Sequence, residues 1–327
     1  MSTVKLGDVA RESRLKWERS KLDVPIVGLE HLIPGEIRFE AYDKNIDNTF
    51  SKKFVKGQVL FGRRRSYQRK AAVAEFDGIC SGDITVIETI GGKMVSELLP
   101  FIIQTPAFFD YANKGSAGSL SPRVKWEHLA DYEFELPSLK EQKVLADKLW
   151  AAYRLKEGYK KLYVATDEMV KSQFIEMFGE ANNMCSSVFS DFVTLKAGKS
   201  KKVDEIQSEK SAGLYPCFGG NGIRGYVNDY THDGEYCIIG RQGALCGNVQ
   251  VVKGKFYATE HAVVVTPKAK LNTIWLFYSL TQMNLNQYAR GVAQPGLAVN
   301  QLEKLAFCIP QLESQRKFAA IAIQSDK

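Results

Sequence analysis

The sequence predicts an α+β chain. Two similar strand-rich α/β domains are joined by a long coiled-coil-type helix, and a second, truncated helix stands at the C-terminus. Three observations carry this reading. Leu139 to Phe178 holds a continuous helical pattern. The stretches on either side of it repeat one another. Each of those stretches is a succession of short apolar runs separated by glycines, the pattern of strands and turns. A length of 327 residues suits two domains with ample core.

Residues 1–138 form the expected first domain. Val4-Lys5-Leu6 opens it, and Val59-Leu60-Phe61, Ala71 to Ala74 and Ile84 to Ile87 read as further strands. Gly57, Gly62, Gly78, Gly82 and Gly91-Gly92 punctuate them. Leu98 to Ala112 reads as helix interrupted by Pro106. A Gly/Ser loop from Lys114 to Leu120 then precedes LADYEFELP.

The spacer helix is expected over 139–179. Apolar residues recur at Leu145, Leu149, Ala152, Leu155, Tyr159, Leu162 and Met169. Steps averaging about 3.5 residues favour a seam that faces a partner helix. Pro137 and Gly179 supply start and stop signals. At ~1.5 Å per residue such a helix is roughly 60 Å long, suited to a spacer.

Residues 180–310 repeat the plan of the first domain. Val193-Thr-Leu answers Val4-Lys-Leu, and Cys237-Ile-Ile-Gly-Arg answers Val59-Leu-Phe-Gly-Arg. Ala262-Val-Val-Val answers Ile84-Thr-Val-Ile, and Thr273 to Tyr288 is the matching helix. The loop from Arg290 to Leu297 matches the one from Lys114 to Leu120. LEKLAFCIPQLESQRKF matches LADYEFELPSLKEQKVL, so that residues 311–327 begin a second spacer helix.

Composition narrows the function classes. The chain is 45% hydrophobic and 25% charged, ordinary for a soluble protein. No apolar run approaches the length of a membrane span. The first residues lack the apolar core of a signal peptide, so a cytoplasmic location is expected. Six cysteines without a CxxC, beside four histidines, read as reduced thiols with no metal site. The net charge is +7, but its distribution says more. Nine Lys/Arg and one acid, Asp47, lie between Lys44 and Lys70, a local field suited to a polyanion.

The doubled Pro-x-Leu-x-x-Gln entry to a helix (Pro137/Leu139/Gln142 and Pro310/Leu312/Gln315) stands beside two Gly-Arg loops, Gly62-Arg63 and Gly240-Arg241. With Tyr215–Val227, Ile239–Val249 and Phe256–Val263, these stretches resemble the specificity (S) subunit of a type I restriction–modification enzyme. The resemblance implies two target recognition domains, each reading half of a bipartite, asymmetric site in double-stranded DNA. It implies as partners two methyltransferase (M) subunits and a restriction/translocase (R) subunit. It places S-adenosylmethionine, ATP and Mg in those partners, with no cofactor and no catalytic residue in this chain. Adenine methylation and cleavage would be directed, not performed. No Asn/Asp-Pro-Pro-Tyr/Phe motif of an adenine methyltransferase is present. A silent or exchangeable truncated cassette, completed by a partner chain, is the alternative that the short last helix raises; a stand-alone DNA-modifying enzyme is the third reading.

Candidate DNA contacts follow from residue type. Arg63, Arg64, Arg65, Tyr67, Gln68, Arg69 and Lys70 follow a predicted strand. Arginine can bond guanine and glutamine adenine in the major groove, although most contacts of this kind meet phosphates. In the second domain Lys196, Lys199 and Lys201 form a basic cluster, joined by Ser200 and Lys202. Asn221 and Arg224 lie in the run Gly219 to Gly225, which is neither GxGxxG nor a P-loop. Arg241 and Gln242 follow the second Gly-Arg strand. Glu260-His261 reads as a structural pair. Lys114, Ser116, Ser119, Arg290 and Gln294 either line DNA or cap helices. On the spacer, Leu145, Leu149, Leu155, Tyr159, Leu162 and Met169 are the expected partner-facing residues.

Overall fold

The computed structural model describes residues 2–118, 120–179, 186–243, 245–291 and 295–325. The chain divides into two compact units, Met1–Gly158 and Tyr159–Lys327. The boundary falls inside the long helix, so each unit holds one half of it.

In the first unit β1 (Ser2–Lys5) leads through the single turn α1 (Leu6–Val9) into β2 (Ala10–Glu12). Next come β3 (Ile26–Val27), β4 (Lys52–Phe54), β5 (Val59–Gly62), β6 (Ala71–Val73), β7 (Gly78–Cys80) and β8 (Ile84–Thr89). One sheet runs β2-β8-β5-β6 and another β3-β7-β4. β5 shows why its sequence is apolar without alternation. Val59 and Phe61 enter a core with Leu6, Ile87 and Phe108, while Leu60 enters another with Val27, Phe54 and Val86. Successive side chains leave a strand on opposite faces, and both faces are covered here. The expected helix from Leu98 is two helices, α2 (Leu99–Ile103) and α3 (Pro106–Lys114). Pro106 opens the second one, with Thr105 capping it by accepting the Phe108 N–H at 3.3 Å. α4 (Trp126–Ala130) and β9 (Glu133–Leu136) follow, and β9 pairs antiparallel with β1. α5 (Leu139–Phe178) then begins.

The second unit repeats this order: α6 (Phe189–Phe192), β10 (Val193–Ala197), β11 (Tyr215–Gly219), β12 (Gly222–Val227), β13 (His232–Gly240), β14 (Val249–Ala258) and β15 (Ala262–Pro267). Its sheet runs β10-β15-β13-β14-β11-β12. The first four of these strands reproduce β2-β8-β5-β6 position by position, so that Val193 in β10 answers Ala10 in β2 and not, as the sequence match has it, Val4, which lies in β1. β11 and β12 are the addition. α7 (Thr273–Gln282), α8 (Val299–Glu303) and α9 (Leu312–Ser325) complete the unit. The helix expected to reach Tyr288 stops earlier, because Asn284 takes a left-handed φ of 44° and turns the chain.

The Pro-x-Leu-x-x-Gln motif has a physical cause. The Gln142 carboxamide accepts the Val95 N–H at 2.9 Å and donates to the Pro137 carbonyl at 2.9 Å. Gln315 accepts the Asn272 N–H at 2.9 Å and donates to Pro310 at 2.8 Å. Both glutamines are 1% exposed. Each ties a helix start to the preceding segment, and a buried amide of this size needs both bonds.

α5 packs on a stripe other than the expected seam. Gln142, Ala146, Trp150 and Tyr153 are buried in the first unit, and Val170, Phe174 and Phe178 in the second. These recur at three and four residues, the period of a helix lying on a flat body. α9 packs there too, with Phe318 5.1 Å from Phe174 and 5.9 Å from Phe178, ring centre to ring centre. Of the expected seam, Leu149 is half-buried, while Leu145, Leu155, Tyr159, Leu162 and Met169 are exposed; Leu155, Tyr159 and Leu162 are each at least 60% so. The reading of six reduced thiols is corrected. Cys80, Cys217, Cys237 and Cys246 are free and buried, Cys308 is disulfide-bonded, and Cys185 lies outside the described residues.

Candidate nucleic-acid interface

The two Gly-Arg loops are built alike. Gly62 ends β5 and Gly240 ends β13. A side chain on Gly62 would crowd Leu29 and the Lys70 carbonyl, and one on Gly240 would overlap the Gly220 carbonyl. Glycine is needed at both for close approach. The Arg63 N–H then donates to Asp83 O and its carbonyl accepts from Val124 N. The Arg241 N–H donates to His261 O and its carbonyl accepts from Leu297 N. One residue on, Arg64 bridges to Arg123 and Gln242 to Gly296. Asp83 therefore matches His261, and Arg123 matches Gly296.

The predicted contacts of the first loop are not equally available. Arg64 donates to Ser121 Oγ at 2.8 and 3.0 Å and to Asp83 at 3.2 Å. Arg123 holds the other Asp83 oxygen at 2.7 Å. Partial burial of Asp83 opposes its charge, yet the hydrogen bonds and charges of Arg123 and Arg64 outweigh this and lower its pKa. Arg69 pairs with Asp110 at 3.2 Å, and Lys70 donates to Leu29 O at 2.7 Å. Arg63 keeps a buried Nε without a hydrogen-bond partner. Arg65 and Tyr67 are exposed and Gln68 half-buried. Arg65 and Arg69, both at φ 54°, flank the tight turn Ser66–Gln68. Left-handed backbone at two arginines is costly, and such strain gathers at functional sites.

The second domain differs. Lys196 and Lys199 are exposed. Lys201 is not a free cation: Asp229 accepts from it at 2.7 Å and Glu205 lies at 3.6 Å. Its ammonium also stands 5.0 Å from the Tyr257 ring centre. The Gly219–Gly222 run is the turn of a β-hairpin, with Gly219 and Gly222 paired across it. Asn221 at its tip accepts from Asn248 at 3.0 Å, and the exposed Arg224 lies over Gly219. Strand–turn–strand geometry is unlike a P-loop, which opens a helix. Gln242 is exposed and Arg241 half-buried, its Nε without a partner. They line a cleft of about 530 Å³ with Arg290, Asn300, Gln301 and Lys304. Glu260 and His261 form a pair at 3.1 Å. Ser119 and Gln294 lie outside the described residues.

Other chemistry is already committed. Glu30, His31 and Asp43 stand close together. His31 Nδ1, however, accepts the Gly28 N–H at 2.9 Å, which leaves the ring proton on Nε2, facing Asp43. Burial pushes the Cys80 thiol up to about 12, away from nucleophilic use.

Residues 186–327 match the family model described as the type I restriction modification DNA specificity domain. The second domain is similar to that family. Over 137 residues, 42% of its length, this chain is 53% identical to the type I restriction enzyme EcoprrI specificity subunit of Escherichia coli. A putative type I specificity subunit of Haemophilus influenzae is 34% identical over 117 residues, 35% of the chain. The chain spans about a third of the length of these curated relatives, 34% and 30%. The fold, including the first domain, is similar to the S subunit structure from M. genitalium. That match has a TM-score of 0.67 at 12% identity and covers 99% of this chain and 89% of the other. The domain that matches this model thus has an unlike twin in the first unit, built on the same strand order.

Sequence reasoning passed over Asp83, Ser121 and Arg123, and also Asn300, Gln301 and Lys304. The Ser-Pro-Arg run at 121–123 was the available signal for the first set. For the second, the register of LEKLAFCIP against LADYEFELP would have sufficed.

Proposed function

We propose that this chain is the DNA-recognition subunit of a type I restriction–modification complex. Its two domains read the two halves of a bipartite, asymmetric site in double-stranded DNA. Adenine methylation and cleavage are carried out by two methyltransferase subunits and a restriction subunit, which hold S-adenosylmethionine, ATP and Mg. The observation that carries this reading is one strand order used twice, β2-β8-β5-β6 and β10-β15-β13-β14, with different side chains on the matching loops. Equal scaffolds with unequal loops imply two unlike half-sites. In the first domain Arg65, Tyr67 and Gln68 carry the contacts, with Arg63, Arg64, Arg69 and Lys70 ordering the loop. In the second, Arg241, Gln242, Asn221, Arg224, Lys196 and Lys199 do so. The exposed Leu155, Tyr159 and Leu162 of α5 supply an apolar surface for the methyltransferase subunits. Among the described residues no helix is long and apolar enough to cross a membrane, and the reading places the complex in the cytoplasm.

The test is a methylome. The chain is co-expressed with its cognate methyltransferase subunit in a methylation-free host, and adenine modification is mapped. A split motif with unlike halves is expected. Modification at a single continuous motif, or none with both proteins soluble, would sink the reading.

A further inference from the structure

The matching loops differ in charge in a way that the shared backbone makes measurable. α4 and α8 are both five-residue helices, ended by Asp131 in the first domain and Lys304 in the second. Leu129 and Leu302, each fully buried, hold the same place in them. Glu127 therefore matches Asn300. The bridges Ala117–Arg123 and Arg290–Gly296 also correspond, so Arg290 stands where the first domain has Ala117 and not, as the sequence match has it, Lys114. At the positions that match this cleft the first domain sets four cations (Arg63, Arg64, Arg123, Lys125) against two carboxylates (Glu127, Asp131), with Asp83 beside them. The second sets Arg241, Arg290 and Lys304 against none. None of the described residues lining the second cleft is acidic. In the first domain Asp83 neutralises Arg64 and Arg123 directly, and Asp131 pairs with Lys5 at 3.0 Å.

We infer that the cleft lined by Arg241, Arg290 and Lys304 is a seat for a backbone phosphate of duplex DNA, and that the matching place in the first domain is not. This rests on the DNA-recognition reading and deepens it: the two domains grip the duplex unequally. Arg290 and Lys304 are exposed and neutralise the phosphate. The half-buried Arg241 keeps a buried Nε without a hydrogen-bond partner, as its counterpart Arg63 does. Gln242, Asn300 and Gln301 add neutral donors beside the charge, suited to sugar or base-edge atoms. In the first domain Arg63, the counterpart of Arg241, has as neighbours Arg64 and Arg123, which are held by Asp83, so a phosphate drawn to those cations would have to displace an internal carboxylate.

Non-specific duplex binding is enough to test this, because each neutralised phosphate adds about 0.9 to the slope of log K against log salt. The full-length chain is titrated with a labelled 30-base-pair duplex of random sequence, read by fluorescence anisotropy from ~50 to ~200 mM salt. Arg290→Gln with Lys304→Gln is expected to lower the slope by about 0.9, and Arg123→Gln to leave it unchanged. The single variants Arg290→Gln and Lys304→Gln guard against misfolding of the pair, with thermal unfolding as the check. An unchanged slope in folded Arg290 and Lys304 variants overturns the inference and leaves the DNA-recognition reading standing. So does an equal loss in Arg123→Gln. A seat for free inorganic phosphate that duplex never enters also gives the unchanged slope. If the wild-type chain binds no duplex at all, both readings fall together.

Discussion

Asp83 decides the character of the first loop. It lies 19 residues from Arg64 and 40 from Arg123 in sequence, and its carboxylate converts two mobile cations into fixed supports. Its lowered pKa makes it a stability element with a definite pH sign. The contribution is present above the ordinary carboxylate value of about 3.9 and is lost as pH falls through the folded value. Asp83→Asn should therefore lower the unfolding temperature at neutral pH and flatten the loss between about pH 5 and pH 3, as followed by circular dichroism. The same variant frees Arg64 and Arg123, so its duplex binding should become more salt-dependent than that of wild type. An identical pH profile in the two proteins would remove Asp83 from this role.

At the scale of elements, the two glutamines and the two faces of α5 carry the argument. Replacing Gln142 or Gln315 by leucine leaves a buried N–H and a buried carbonyl unpaired. A loss of about 1–3 kcal/mol is expected for each, measured by urea unfolding. A loss below about 0.5 kcal/mol would mean that water replaces the carboxamide. On α5, Phe174 meets Phe178, Tyr278 and Phe318, and Phe174→Ala should cost about 3–5 kcal/mol. Leu155→Ala, on the exposed face, should stay within about 0.5 kcal/mol. The contrast separates the packed stripe from the seam that sequence periodicity picked out. That periodicity records every apolar residue at helical spacing and is blind to which of two stripes the body of the protein covers.

For the whole molecule, duplication is the organising fact. The exposed stripe of α5 predicts that the isolated chain associates or precipitates and improves when a methyltransferase subunit is present. Static light scattering tests this, and a well-behaved monomer would count against it. Leu155→Glu with Leu162→Glu should weaken that assembly while barely moving the unfolding temperature. On the proposed DNA-recognition reading, the two domains should also be separable in specificity. Arg65→Ala with Gln68→Ala should relax one half of the methylated motif and leave the other half intact, read by adenine-modification sequencing. Loss of both halves would mean that these side chains hold the fold instead.

The sequence by itself determined the duplication, the long helix, the Gly-Arg strand ends and the paired glutamine motifs. All of these depend on local spacing or on comparing one half of the chain with the other. The placement of β5, β6 and β8 follows, since short apolar runs between glycines have few other uses. Only the tertiary structure decided which cations are free. Lys201, Arg64 and Arg69 carry the same charge in sequence as Arg65, Lys199 and Arg290, but Asp229, Asp83 and Asp110 reach the first three from 19 to 41 residues away. The physical reason is range. Periodicity and turn chemistry act over a few neighbouring residues, whereas an ion pair needs two side chains brought within about 4 Å, and only the folded backbone sets that distance.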